Sequence, residues 1–170
     1  MFRALQTQEY PQEGGISRLL AALCFMLVLL PSGAFARDTT LLKEAQTVYV
    51  PIYSHIYGGA KNKEIQLTAT VSIRNTDPHY PLILKEVSYY NTQGKLLKHY
   101  LNKNVIIPPL GTSRFIVKEG DTTGGSGANF IVKWQAKQKI HAPLLEAIMI
   151  STRMQLGISF TSRGVVIEER

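Results

Sequence analysis

The chain has 170 residues, 45% of them hydrophobic and 18% charged, with a formal net charge of +7; these values exclude a disordered chain and fit one folded domain. Cys24 is the only cysteine, which excludes an internal disulfide and leaves burial as the main source of stability. The lysines are spread over many segments rather than packed into one block, the pattern of a solvated surface rather than of a nucleic-acid-binding tail.

Arg18 precedes an uncharged, mostly apolar run from Leu19 to Leu30, followed by Pro31-Ser32-Gly33 and the small-residue pattern Ala34-Phe35-Ala36. This reads as a signal peptide over residues 1–36, cleaved after Ala36. The run is shorter than the about 20 residues a spanning helix needs; the rival reading is an uncleaved anchor, the one segment that would then touch a membrane. Cys24 follows Leu23 and sits inside the run, an unsuitable context for lipid attachment. Arg3 and Arg18 balance Glu9 and Glu13, so the charge of +7 stays with the exported part. Export to the periplasm or cell envelope points toward an unknown acidic protein or an anionic envelope component as partner, and away from nucleic acid.

Residues 37–46 form a polar lead-in, where Asp38 caps a short helix through Leu41, Leu42 and Ala45, and residues 47–170 form one domain. Thr47–Tyr53 reads as a strand with an edge or bend at Pro51. Ile65, Leu67, Ala69, Val71 and Ile73 alternate with Gln66, Thr68, Thr70, Ser72 and Arg74, the signature of a half-buried strand. Asn75-Thr76-Asp77-Pro78 ends it with turn chemistry. Leu82–Tyr90 is a second strand, Asn91-Thr92-Gln93-Gly94 a hairpin turn, and Lys95–Tyr100 the return. Pro108–Gly111 is a loop. Thr112–Lys118, Phe130–Trp134, Leu145–Thr152 and Gly157–Thr161 are further strands. Seven to eight short strands with turns about every ten residues predict an all-β, antiparallel, immunoglobulin-like β-sandwich; a small closed barrel is the alternative.

Tyr49-Val50-Pro51-Ile52-Tyr53-Ser54-His55-Ile56-Tyr57, Ser72-Ile73-Arg74-Asn75-Thr76-Asp77, Asp121–Phe130 and Gly157–Gly164 together resemble a bacterial family catalogued as domain of unknown function 3124. The resemblance spans about Gln46 to Ile167. It implies a bacterial envelope protein and supplies no catalytic residues.

The stretch Lys118–Phe130 holds Gly120, Gly124, Gly125 and Gly127 among acidic and hydroxyl side chains, the composition of an anion-binding nest or of a tight structural loop. Its spacing fits neither the phosphate-loop nor the dinucleotide pattern. Gly124–Ile131 matches one copy of a calcium-binding nonapeptide, with Asn129 in the aspartate position, and Glu119, Asp121 and Asn129 are oxygen donors suited to a hard cation. Ser126 lacks the final glycine of a nucleophile elbow. His55, His79, His99 and His141 form no close pair of zinc-ligand spacing. These patterns predict no metal site, no cofactor and no catalytic residue.

Candidate binding residues are Arg74, Asp121, Thr122, Ser126, Asn129 and Arg163. If their loops share one end of the sandwich, they form a polar cluster able to grip an acidic ligand through bidentate guanidinium contacts; the plainer reading pairs each arginine with a nearby carboxylate, and lets Asp121 and Asn129 bond to backbone. Tyr49, Tyr53 and Tyr57 share a face if their strand runs unbroken, and Trp134 is expected in the core. The sequence thus predicts a non-enzymatic binding or assembly module. The alternatives are a metal-dependent or hydrolytic enzyme using the Glu119–Asn129 loop, and a purely structural envelope protein.

Overall fold

Alternating apolar side chains build two facing sheets. The structure, a computed structural model, describes residues 42–59, 61–152 and 157–170, which belong to the compact unit Thr39–Arg170. The segment read above as a signal peptide, Cys24 and Asp38 lie outside the described residues.

Twelve strands occur among those residues: β1 (Lys43–Pro51), β2 (His55–Gly58), β3 (Lys63–Gln66), β4 (Thr68–Arg74), β5 (Leu82–Tyr90), β6 (Leu96–His99), β7 (Val105–Ile107), β8 (Thr112–Val117), β9 (Asn129–Ile140), β10 (Leu144–Ser151), β11 (Ile158–Arg163) and β12 (Val165–Glu169). One sheet has the order β12-β1-β9-β5-β6, with β7 also pairing with β5; the second has the order β11-β10-β4-β8; β2 and β3 form a separate hairpin. Every pairing is antiparallel. The sheets are open, so the architecture is the sandwich and not the closed barrel.

Val48 and Val50 of β1, Phe130, Val132 and Trp134 of β9, and Leu84, Val87 and Tyr89 of β5 are buried from the first sheet. Ala69, Val71 and Ile73 of β4 and Leu145, Ala147 and Met149 of β10 meet them from the second. Trp134 occupies the core, as its alternation with Phe130 and Val132 predicts.

Two local expectations are corrected, and a third strand, expected over Leu82–Tyr90 and found there, carries an irregularity. Lys43–Gln46 is strand, because β1 pairs with both β9 and β12 along this stretch, so no helix reaches Ala45. The Ile65–Arg74 run is split: Leu67 donates its N–H to Ser54 O at 2.9 Å as the chain leaves the hairpin. β5 carries a register shift between Leu84 and Glu86. That bulge lets Leu82 and Leu84, then Val87 and Tyr89, all point inward, while Glu86 and Ser88 face out together.

Between β11 and β12 the chain crosses from one sheet to the other through Gly164, whose N–H donates to Leu145 O at 2.9 Å. A Cβ at this position would stand 2.7 Å from Val48 Cγ1 and 3.2 Å from Val50 Cγ2. Gly164→Ala is therefore expected to cost about 2 kcal/mol by overpacking; an unchanged urea midpoint would show that the corner yields freely.

Candidate functional site

The glycine-rich connection between β8 and β9 lies at the end of the sandwich where β1 finishes and β4 begins, since Ala69 pairs with Val117 and Pro51 with Asn129. Its backbone ties three connections together. Ile52 N donates to Ala128 O at 2.9 Å, and Ser54 donates to Gly125 O through both N at 3.1 Å and Oγ at 2.9 Å. Thr92 donates to Gly124 O through N at 2.9 Å and Oγ1 at 3.0 Å, while Gly127 N donates to Thr92 Oγ1 at 3.0 Å. Gly125 needs its glycine for a φ of 77°.

Asp121 is engaged within the same loop, its Oδ1 accepting from Thr123 N at 3.1 Å and Thr123 Oγ1 at 2.5 Å. Its charge also acts on the core. Burial pushes the Tyr89 phenol up to about 12, and the Asp121 carboxylate adds to the rise. Thr122 is exposed, Ser126 is half-buried, and Asn129 is buried at the start of β9.

Arg74 and Arg163 lie toward the other end. Arg74 pairs with Thr112 and Leu144 at the finish of β4, and Arg163 pairs with Glu146 across β10 and β11. The structure thus brings the two arginines together around Glu146 and places Asp121 apart from them. Arg74 Nε lies 3.1 Å from Glu146 Oε1, in an exposed pair worth about 1 kcal/mol or less.

Sequence reasoning passed over two residues of this face. Register places Arg163, Glu146, Ser72 and Arg114 in one row across β11, β10, β4 and β8, with Arg74 one pleat beyond Ser72. Arg114 was legible as a polar position in Thr112–Lys118. Glu146 was hidden because Leu145–Thr152 looks like a strand buried on both faces, whereas Leu145, Ala147 and Met149 face in and Glu146 faces out. Around the charges lie Thr68, Thr70, Thr161 and the isoleucines Ile116 and Ile150, which are 46% and 39% exposed.

The opposite outer face, on the six-stranded sheet, carries a second polar array. Lys133 Nζ lies 2.9 Å from Glu86 Oε2, Ser88 Oγ donates to Glu86 Oε1 at 2.7 Å, and His99 Nδ1 stands 2.8 Å from Ser88 Oγ. Ser, His and Glu in contact invite a hydrolase reading, but the proton lies on the wrong side for one. The single Ser88 hydroxyl proton goes to Glu86, so His99 must donate to Oγ rather than withdraw a proton from it. Burial works to raise the Glu86 carboxyl, yet hydrogen bonds from Lys133 and Ser88 outweigh it and hold the group below the usual carboxylate range. Ser88 is also fully buried. The array is a cross-strand tie.

Beside it, a depression of about 250 Å³ is lined by Thr47, Lys85, Lys133, Gln135, Glu168 and Arg170. Glu168 in this rim accepts from Thr47 Oγ1 at 2.9 Å.

The tyrosine strip is interrupted because the chain leaves β1 after Pro51. Tyr53 packs edge-on to Phe160 with ring centres 5.6 Å apart, and Tyr57 packs on His55 at 5.2 Å. Among the described residues no three His, Cys, Asp or Glu side chains gather as a metal-ligand set.

Fold and surface together define a small antiparallel β-sandwich module with polar, open sheet faces. The chain belongs to the family described as protein of unknown function, DUF3124, which matches residues 45–167. No curated protein matches it. A solved structure, that of Thermotoga maritima 1070, is similar at 11% identity with a TM-score of 0.45, over 75% of this chain and 98% of that one.

Proposed function

We propose that this chain is an exported, non-enzymatic binding module of the bacterial envelope, and that it works through the outer face of its four-stranded sheet. The observation that carries the reading is that Arg74, Arg114 and Arg163 share one sheet face with one carboxylate, Glu146, among its described strand residues, and that Glu146 pairs with Arg74. One carboxylate offsets one of three guanidiniums, so the face keeps two positive charges on a rigid, exposed strand scaffold. Its partner is accordingly acidic. The apolar run Leu19–Leu30 and the Ala34-Phe35-Ala36 pattern support export. The glycine-rich loop, by contrast, spends its carbonyls on Ser54 and Thr92.

Crosslinking the full chain within its own envelope tests the reading. Replacing Arg74, Arg114 and Arg163 together by glutamine is expected to abolish most crosslinked adducts while leaving the melting temperature within a few degrees. Asp121→Ala is expected to retain them. The reverse pattern would return the binding surface to the loop end.

A further inference from the structure

We infer that the arginine face docks on an anionic phospholipid membrane surface; this rests on the binding face proposed above and names its ligand. Three of the four arginines among the described residues, Arg74, Arg114 and Arg163, lie on this face, and the fourth is Arg170. The lysines of the strands, Lys43, Lys63, Lys85, Lys98, Lys133, Lys137 and Lys139, belong to other strands than the four that make this face, and Lys118 follows β8 directly at the glycine-loop end, away from Arg74 and Arg163. Both side chains are cationic, so segregation of arginine from lysine is informative. The planar fork of arginine matches phosphate oxygens two at a time, which the point charge of lysine does not.

The layout fits many phosphates on a plane better than one phosphate in a pocket. Arg163 and Arg114 are three strands apart, roughly 14 Å at the usual strand spacing, and the row between them is an open sheet surface. A single phosphate group cannot bridge that separation, whereas a headgroup layer meets every guanidinium at once. Ile116 and Ile150, 46% and 39% exposed on the same face, supply the apolar contact that a surface-bound protein buries at the boundary between headgroups and acyl chains. Glu146 sits between the arginines and is held by Arg74, so the repulsion it would exert on the membrane is partly offset.

Co-sedimentation of the full chain with phosphatidylcholine vesicles, with and without phosphatidylglycerol, tests this. The apolar run at residues 19–30 contributes equally to every variant, so the quantity read is the ratio of partition onto the two vesicle types. The Arg74→Gln, Arg114→Gln, Arg163→Gln chain is expected to lose about 100-fold in that ratio, from roughly one kcal/mol per surface cation. A chain with Lys61→Gln, Lys95→Gln and Lys103→Gln loses the same charge elsewhere and is expected to keep most of it. Ile116→Ser with Ile150→Ser is expected to reduce binding to both vesicle types.

Equal losses from the arginine and lysine variants would overturn the inference in favour of net charge alone. So would wild-type partition indifferent to phosphatidylglycerol. If that indifference accompanies envelope crosslinks that still depend on the three arginines, the partner is an acidic protein and the binding face stands. If neither measurement responds to the arginines, both readings fall.

Discussion

Asn75→Leu is expected to lower stability by roughly 3 to 5 kcal/mol, among the largest effects of any single substitution in the chain. Asn75 is buried, and its Nδ2 donates to Tyr80 O at 2.8 Å, Pro108 O at 3.0 Å and Ile107 O at 3.3 Å. Its Oδ1 accepts from Asp77 N at 3.1 Å, and its own N–H donates to Gly111 O at 2.9 Å. One amide side chain therefore joins the β4–β5 turn to the β7–β8 turn. Leucine fills similar volume but takes the amide away from Tyr80 O, Ile107 O and Asp77 N–H, each costing about 1 to 3 kcal/mol when buried, while Pro108 O keeps the Gly111 N–H at 2.9 Å. Urea denaturation measures the loss. A value below about 1 kcal/mol would show that these groups find other partners.

Asp77 extends the same tie and makes it sensitive to acid. Its Oδ1 accepts from His79 N at 2.8 Å and Tyr80 N at 2.9 Å, and its Oδ2 accepts from His141 N at 3.1 Å, reaching the β9–β10 connection. Burial alone would raise this carboxyl, but the three backbone N–H groups outweigh it and hold the group below its ordinary 3.8. A carboxyl depressed in the folded state adds stability above its unfolded value and loses it as pH falls through the folded one. Stability should thus decline below about pH 4. Asp77→Asn should flatten that decline and lower stability at neutral pH, because its amide would turn a donor toward His141 N–H. Glu86 and Glu169 are also held low, so part of the acid limb persists.

Gly124→Ala is the second large effect, expected at about 3 kcal/mol. A Cβ there would overlap the Tyr89 hydroxyl and stand 2.8 Å from both Tyr89 Cζ and Ala128 Cβ. Tyr89 has little room to withdraw, being buried and stacked on Phe130 with ring centres 5.3 Å apart. Adding Tyr89→Phe removes the overlapped oxygen but not Cζ, so the double variant should recover about half of the loss. Full additivity of the two single losses would mean that the loop and the ring do not press on each other.

Period-two alternation made the sandwich legible, because each strand with one wet face declares which side is buried. It failed where a strand is short, as in β2 and β7, or where every residue is exposed and nothing alternates, as in Val165–Glu169 of β12. The bulge in β5 was hidden too, since the polar pair Lys85-Glu86 interrupts the alternation without declaring which residue goes unpaired. The glycine loop advertised itself by composition, yet what it does depends on Ser54 and Thr92, distant in sequence. Arg74 and Arg163 were visible as polar strand residues. Their meeting around Glu146, with Arg114 in the same row, is a matter of register, which a single strand's sequence does not carry.

The position of β1 has a consequence for how the molecule assembles. Lys43–Pro51 opens the sandwich, yet its two neighbours are Asn129–Ile140 and Val165–Glu169. The first strand must wait for the last before its hydrogen bonds are complete, so the six-stranded sheet cannot grow outward from the N-terminus as the chain emerges. Such long-separation pairing belongs to the slow regime of all-β folding, in milliseconds to seconds.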